Sequence, residues 1–214
     1  MKRLARRAFR YAARLTLRRL LGLTTRLQIE GLDNIPQGDA AIIAFNHLGH
    51  LDPLLVSAFA PRAPEFIALA DLLSVPGTSL ALRAYGVIPI RRDEYDRQVI
   101  RAALDALNRG DWVALAPEAR QSPTATSEKG RAGVAYLALK SGALVVPVGI
   151  TGTQNIYSAW RKRQRPLISM TVGIPFHLSA QPGPNRREAL EAAHAAIMKH
   201  IAQLLPVEYR GYWI

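Results

Sequence analysis

Short apolar runs alternate with segments of helical periodicity along most of the chain. The runs have the length and the β-branched residues of buried strands, whereas the segments between them repeat apolar residues every three to four positions. We expect strands at Ala40 to Phe45, Phe66 to Ala70, Val87 to Ile90, Trp112 to Ala116, Val145 to Ile150 and Ile168 to Val172. The alternation predicts an α/β fold, a single layered domain with a mixed, largely parallel central sheet flanked by helices.

Three helices between or after these strands have clear ends. The first two stop at a glycine, and the third opens with Asn and Glu in the spacing of a capping box. We expect these helices over Asp96 to Arg109, from about Arg131 to Ser141, and from Asn185 to just before Pro206.

The N-terminal segment combines an apolar stripe with dense positive charge. Leu4, Ala8, Tyr11 and Leu15 recur at helical spacing, and arginines fill the other faces. We therefore predict that residues 1–22 form a basic amphipathic helix at the interface of an anionic membrane, and that residues 23–214 form the α/β domain. The alternative is a solvated charged helix that packs on its own domain.

The charge balance of the whole chain narrows the class of partner. Lys and Arg outnumber Asp and Glu by 28 to 16, which gives a net charge of +12 and attracts nucleic acids, anionic membranes and phosphorylated molecules. Eight of these positive charges lie in the first twenty residues, which contain no acid. Since the strands also lack the aromatic pattern of single-strand binders, we favour a membrane partner and expect no nucleic acid. A basic nucleic-acid-binding module is the alternative.

The lengths of the apolar runs limit how the chain can meet a membrane, and the absence of cysteine limits its chemistry. No stretch reaches the ~18 to 20 apolar residues that a spanning helix needs. We therefore expect a peripheral protein, without a transmembrane helix, at the cytoplasmic face of the cell membrane. A chain without cysteine forms no disulfide, no thiolate metal site and no cysteine-bound acyl intermediate.

A polar cluster follows the strand that ends at Phe45. If Asp52 lies near the start of the next helix, its carboxylate can fold back onto the ring of His47, which leaves the second ring nitrogen as a base. The chain has no serine in a nucleophile elbow, so the base would activate a hydroxyl of the substrate. The alternative is a metal-dependent hydrolase with His47, His50 and Asp52 as ligands.

Two further strand ends carry charged and polar side chains. Arg91 and Arg92 follow one strand, and Glu118, Arg120 and Gln121 follow another. A guanidinium group can donate two parallel hydrogen bonds to two oxygens of a phosphate. If these arginines converge on one pocket, they would bind a phosphomonoester headgroup.

Four sequence blocks, in order over residues 46 to 150, resemble the glycerolipid acyltransferase family, whose usual member is 1-acylglycerol-3-phosphate acyltransferase. The blocks are Asn46-His47 with Asp52, Gly86 with Ile88, Ile90 and Arg92, Pro117-Glu118 with Arg120 and Ser122, and Val146-Pro147-Val148. The third block departs from the usual Glu-Gly-Thr-Arg-Ser, because Arg120 takes the threonine position and Gln121 the arginine position.

The resemblance implies that residues 23–214 are an acyltransferase domain, and it implies the roles of its site residues and the classes of its substrates. His47 would be the catalytic base and Asp52 its partner. We expect substrate contacts from Asn46, Arg91, Arg92, Glu118, Arg120 and Gln121. The donor would be acyl-CoA or acyl-carrier protein as a co-substrate, and the acceptor lysophosphatidate, another lysophospholipid or a glycerol phosphate, in phospholipid biosynthesis. We expect no cofactor and no metal.

Overall fold

The structure is a computed structural model that describes residues 2–38, 40–91, 97–118, 132–179 and 185–213. Three of the expected substrate contacts, Arg92, Arg120 and Gln121, lie outside these ranges. The predicted helix starts at Asp96 and Arg131 also lie outside them.

A central sheet organises the described part of the chain. Its strands are β1 (Arg26–Glu30), β2 (Ala41–Phe45), β3 (Glu65–Leu69), β4 (Ile88–Ile90), β5 (Val113–Leu115), β6 (Leu144–Thr151) and β7 (Leu167–Val172). Their order across the sheet is β1-β7-β6-β2-β5-β3-β4. Neighbouring strands are parallel except β6 and β7, which are antiparallel. The predicted mixed, largely parallel sheet is confirmed.

Burial explains which strands could be recognised in the sequence. Every residue of β2 is buried, as are all residues of β6 except its two ends. Strands that are covered on both faces have nearly continuous apolar sequences. At the edge of the sheet, β1 instead alternates exposed and half-buried residues, and the sequence analysis missed it.

Helices cover both faces of this sheet. They are α1 (Lys2–Thr24), α2 (Asp52–Phe59), α3 (Thr78–Tyr85), α4 (Arg97–Asn108), α5 (Gly133–Ser141), α6 (Ile156–Arg161), α7 (Arg186–Gln203) and α8 (Val207–Arg210). On one face α1 and α2 bury Leu21 and Leu55, and on the other α5 and α7 bury Leu137 and Ile197. The core therefore consists of two apolar layers, one on each side of the sheet.

The capping residues act as the sequence predicts. Gly142 follows α5 in the left-handed conformation, with φ of 67°. At the start of α7, the side-chain oxygen of Asn185 accepts the backbone N–H of Glu188 at 2.9 Å. These contacts satisfy backbone groups that the helix ends leave without partners.

Helix α1 packs against α2 and α3 with several of its arginines turned toward the domain. Arg14 donates to the carbonyl of Pro61 at 2.7 Å, and Arg18 donates to that of Ala58 at 2.6 Å. Burial, followed by the charge of Arg18, lowers the pKa of Arg14. These guanidinium groups bind carbonyls at the C-terminal end of α2, where positive charge is favourable. The helix extends to Thr24, past the predicted boundary at residue 22.

The opposite side of α1 faces outward and is largely apolar. Its exposed side chains include those of Leu4 (79%), Tyr11 (63%), Leu15 (36%), Leu20 (51%) and Leu23 (72%). The apolar stripe recognised in the sequence therefore lies away from the domain. Among the described residues, no helix is both long enough and apolar enough to cross a bilayer.

Arg10 connects α1 to the turn before β4. Its Nε donates to the carbonyl of Tyr85 at 2.8 Å, and Nη2 donates to that of Gly86 at 3.3 Å and lies 3.7 Å from Oε1 of Glu65. Gly86 ends α3 with φ of 81°, and a Cβ there would lie 2.9 Å from Nε of Arg6. The left-handed backbone favours glycine at this turn, whereas the flexible end of the Arg6 side chain could move aside for a Cβ.

Candidate active site

The loop that carries His47 begins with a buried asparagine. Asn46 is fully buried, and its amide Nδ2 donates to the carbonyl of Ile150 at 2.8 Å while Oδ1 accepts the N–H of Ile150 at 2.7 Å. These two bonds extend the pairing of β2 with β6 past Phe45. The geometry therefore gives Asn46 a structural use, holding the start of the loop, where the sequence suggested a substrate contact.

The predicted contact between His47 and Asp52 is present. Asp52 is the first residue of α2 and is fully buried. Its Oδ2 lies 2.9 Å from Nδ1 of His47 and accepts the backbone N–H groups of Leu48 and Gly49, each at 2.7 Å. One carboxylate oxygen thus folds the loop and orients the ring.

This geometry selects the tautomer of His47. Oδ2 of Asp52 already accepts two backbone N–H groups, and it acts as an acceptor toward Nδ1 of His47 as well. Nδ1 therefore carries the proton. The lone pair of the neutral ring is then on Nε2. The side chain of His47 is 22% exposed, so the ring can reach a bound substrate while its partner stays buried.

Glycine at position 49 is required by a close approach to the end of β6. A Cβ on Gly49 would lie 2.6 Å from the carbonyl oxygen of Thr153. The loop can therefore turn tightly only if this residue has no side chain. Thr153 is itself buried. This contact could not be predicted from the sequence, since it joins positions far apart in the chain.

Glu118 supports the same loop from the neighbouring strand. It follows β5, is 4% exposed, and its Oε2 accepts the backbone N–H of His47 at 3.3 Å. Because β2 and β5 are adjacent and parallel, their carboxyl ends lie at the same edge of the sheet. His47 is consequently held by its ring through Asp52 and by its backbone through Glu118.

The predicted phosphate-binding arginines, which we call the arginine block, are Arg91, Arg92 and Arg120. The part of this block that the structure describes lies further along the same edge. Arg91 is exposed and directly follows β4, which is three strands away from β2. At the usual strand spacing this separates the two strand ends by about 14 Å. A long side chain at Arg91 and a substrate of several atoms would both be needed to span that distance. The other three predicted partners in these blocks, Arg92, Arg120 and Gln121, lie outside the described residues.

Among the described residues, His50 makes no hydrogen bond or ion pair with His47 or Asp52 and adjoins a residue of α6 instead. It is exposed, and its ring centroid lies 6.2 Å from that of Tyr157 on α6. Within the described ranges, no three His, Asp or Glu side chains are grouped to hold a metal ion. His50 therefore lies at the rim of the site.

A sequence profile of the family described as Acyltransferase matches residues 26–151, more than half of the 214-residue chain. The matched region runs from β1 to the end of β6. It contains His47, Asp52, Arg91 and Glu118.

Two curated proteins illustrate the similarity. The chain is 28% identical over 134 residues to a chloroplastic 1-acyl-sn-glycerol-3-phosphate acyltransferase of Arabidopsis thaliana, covering 61% of this chain and 37% of that protein. It is 25% identical over 188 residues to the 1-acyl-sn-glycerol-3-phosphate acyltransferase of Pseudomonas aeruginosa, covering 86% of this chain and 72% of that one. The chain thus spans little more than a third of the plant protein.

The fold also has a counterpart among solved structures. The crystal structure of PlsC, the 1-acyl-sn-glycerophosphate (LPA) acyltransferase from Thermotoga maritima, matches with a TM-score of 0.73 at 21% identity. The match covers 95% of this chain and 83% of that one, and at this identity it shows a shared fold. Together with the profile match across the His47 loop, it leads to one conclusion: this chain belongs to the acyltransferase family.

Proposed function

We propose that the protein transfers a fatty acyl group from an acyl thioester to a hydroxyl of lysophosphatidate or a related glycerol phosphate lipid, in phospholipid biosynthesis. The observation that carries the proposal is the contact between Nδ1 of His47 and the buried carboxylate of Asp52. This pair has the geometry of an oriented general base at the carboxyl edge of an α/β sheet. The substrate class is that named for the two relatives, which are 1-acyl-sn-glycerol-3-phosphate acyltransferases.

In the proposed reaction, Nε2 of His47 accepts the proton of the acceptor hydroxyl as its oxygen attacks the thioester carbonyl. Asp52 stabilises the imidazolium that forms. When the tetrahedral intermediate collapses, the carbon–sulfur bond breaks and His47 returns the proton to the departing thiolate. The products are an ester and a free thiol, so the reaction needs no redox partner and no cofactor.

We assign the headgroup phosphate to the arginine block. Arg91 lies at the correct edge of the sheet, and Arg92 and Arg120 would add guanidinium groups that bind phosphate oxygens in pairs. The distance from β2 to β4 suits an acceptor whose phosphate is separated from its reacting hydroxyl by the glycerol carbons. Glu118 and Asn46 are assigned as positioning residues, since both bond to the backbone of the His47 loop or of its neighbouring strand.

We assign α1 to the membrane surface. Its arginines bind the domain through Arg10, Arg14 and Arg18, so the apolar side with Leu4 and Leu23 remains available to the headgroup region of a bilayer. Amphipathic helices that lie in the interface bury such a face among lipids. The acceptor is itself a lipid, and this placement would bring the site to it. The donor is acyl-CoA or acyl-carrier protein, and the expected location is the cytoplasmic face of the cell membrane.

The first prediction compares two histidines of the same loop. Purified protein is incubated with labelled acyl-CoA or acyl-carrier protein and lysophosphatidate, and labelled phosphatidate is measured. His47→Ala is expected to lower the rate at least about 100-fold, since loss of a general base typically costs that much or more. His50→Ala, an exposed neighbour, is the matched control and should keep most of the activity. Near-normal transfer by a folded His47→Ala protein would overturn the proposal.

A further inference from the structure

The turn that ends α6 has an unusual residue in a left-handed conformation. The N–H of Arg163 bonds to the carbonyl of Trp160 at 2.9 Å, and the N–H of Gln164 bonds to that of Ala159 at 2.9 Å. In this kind of helix end, the left-handed position is usually glycine. Here Arg163 occupies this position with φ of 54°. Within the described ranges, no other non-glycine residue has a positive φ. The chain therefore keeps an arginine where the backbone favours glycine.

Backbone strain of this kind is often retained for a function of the side chain. Arg161, Lys162 and Arg163 are all exposed, and their side chains make no hydrogen bond or ion pair with any described residue. The sequence contains no Asp or Glu between Glu128 and Glu188, so no acid adjoins the turn along the chain. The three cations together form an uncompensated positive surface, which we call the α6 basic turn.

The α6 basic turn is fixed to the C-terminal end of α1. Nε1 of Trp160 donates to the carbonyl of Thr24 at 3.1 Å, and a guanidinium nitrogen of Arg165 donates to the carbonyls of Gly22 and Thr25 at 2.6 and 2.8 Å. Arg165 is thus used within the protein, unlike the three cations before it. The contacts place the positive surface directly beside the exposed apolar end of α1.

Exposed apolar side chains lie on the elements that adjoin the α6 basic turn. Leu23 on α1 is 72% exposed, Tyr157 on α6 is 51% exposed, and Leu167 at the start of β7 is 47% exposed. A surface groove of about 610 Å³ also lies beside the turn, lined by Arg26, Ala159, Gln164, Arg165 and Pro166. Exposed apolar residues next to unpaired cations are typical of surfaces that meet anionic lipid headgroups.

The same surface continues to the rim of the active site. The ring of Tyr157 lies 6.0 Å from that of Trp160 and 6.2 Å from that of His50, measured between centroids. His50 is three residues from His47 in the loop. A bilayer that contacts the α6 basic turn would therefore also lie close to the entrance of the site.

We propose that the α6 basic turn, with Arg163 at its centre, is a second membrane contact that binds the headgroups of anionic phospholipids. The apolar neighbours favour a lipid surface over an acidic carrier protein or a nucleic acid, for which charge alone would suffice. The proposal extends the membrane placement made above and does not depend on the acyl-transfer chemistry of His47.

The second prediction uses the strain at Arg163 to separate binding from folding. Binding is measured by co-sedimentation with phosphatidylcholine vesicles, with and without phosphatidylglycerol. Arg163→Gly is expected to bind the anionic vesicles about fivefold more weakly, as for loss of one cation near an anionic leaflet. Its thermal midpoint should be equal to or higher than that of the original protein, because glycine removes the strain. Arg163→Lys keeps the charge and should retain most of the binding.

Two controls make the test specific. Lys199→Ala removes an exposed cation from α7, on the opposite face of the sheet, and should bind anionic vesicles as the original protein does. Transfer measured in detergent with dispersed lysophosphatidate should be unchanged by Arg163→Gly. Normal anionic-vesicle binding by Arg163→Gly would overturn the proposal, as would an equal loss with Lys199→Ala. If Arg163→Gly instead weakens binding of acyl-carrier protein or RNA while vesicle binding stays normal, the partner assigned here is wrong.

Discussion

The His47 loop and helix α1 both use inward charged side chains to bind backbone groups, but they leave different kinds of side chain exposed. In the loop, the buried carboxylate of Asp52 binds two backbone N–H groups and leaves an imidazole partly exposed. On α1, the guanidinium groups of Arg10 and Arg18 bind backbone carbonyls and leave an apolar face exposed. In both regions a charge turned inward fixes the backbone, and the side chains left outside are those available to substrate or lipid.

The third prediction addresses the inward arginines. Arg10→Met removes the donor of two carbonyl bonds and the ion pair with Glu65 at a site that is largely buried. We expect the free energy of unfolding to fall by about 2 to 3 kcal/mol, since buried acceptors lose a charged donor. Arg7→Met, an exposed residue of the same helix, should change it by no more than about 0.5 kcal/mol. Urea unfolding of both variants measures the difference, and equal stabilities would show that α1 is not held through Arg10.

The fourth prediction addresses the outward face and is smaller. Leu23→Ser should weaken binding to vesicles about fivefold, equivalent to about 1 kcal/mol for an apolar side chain that is partly buried among lipids. Folding stability should hardly change, because Leu23 is 72% exposed. Ile174→Ser is the control, since Ile174 is 77% exposed but follows β7 and belongs to neither α1 nor the α6 basic turn. Vesicle binding that responds equally to both substitutions would argue against α1 as the contact.

The sequence predicted the sheet well where burial is continuous and poorly where it is not. β2 and β6 are apolar runs between covered faces, and their predicted ends differ from the observed ones by about a residue. β1 carries exposed Arg26, Gln28 and Glu30, so it has no apolar run to recognise. The short helices α3 and α6 were also missed, because a helix of two turns gives too few repeats to show a period.

The same contrast applies to the candidate site. The contact between His47 and Asp52 spans five residues and could be expected from a helix start alone. The bonds of Glu118 to His47 and of Asn46 to Ile150 span 71 and 104 residues. These contacts depend on the strand order of the sheet, which cannot be predicted from the spacing of apolar residues along the chain. Periodicity also predicted the apolar stripe of α1 but not that the arginines would bind the ends of α2 and α3.

The fifth prediction tests the oriented base at His47 directly, through the position of its proton. In ¹⁵N-labelled protein, at a pH where the ring is neutral, NMR correlations should show the imidazole proton on Nδ1, as its bond to Asp52 requires. In Asp52→Asn the proton should no longer be confined to Nδ1, and acyl transfer should fall at least about 100-fold. A neutral His47 with its proton on Nε2 in the original protein, or an Asp52→Asn protein with normal transfer, would contradict the account.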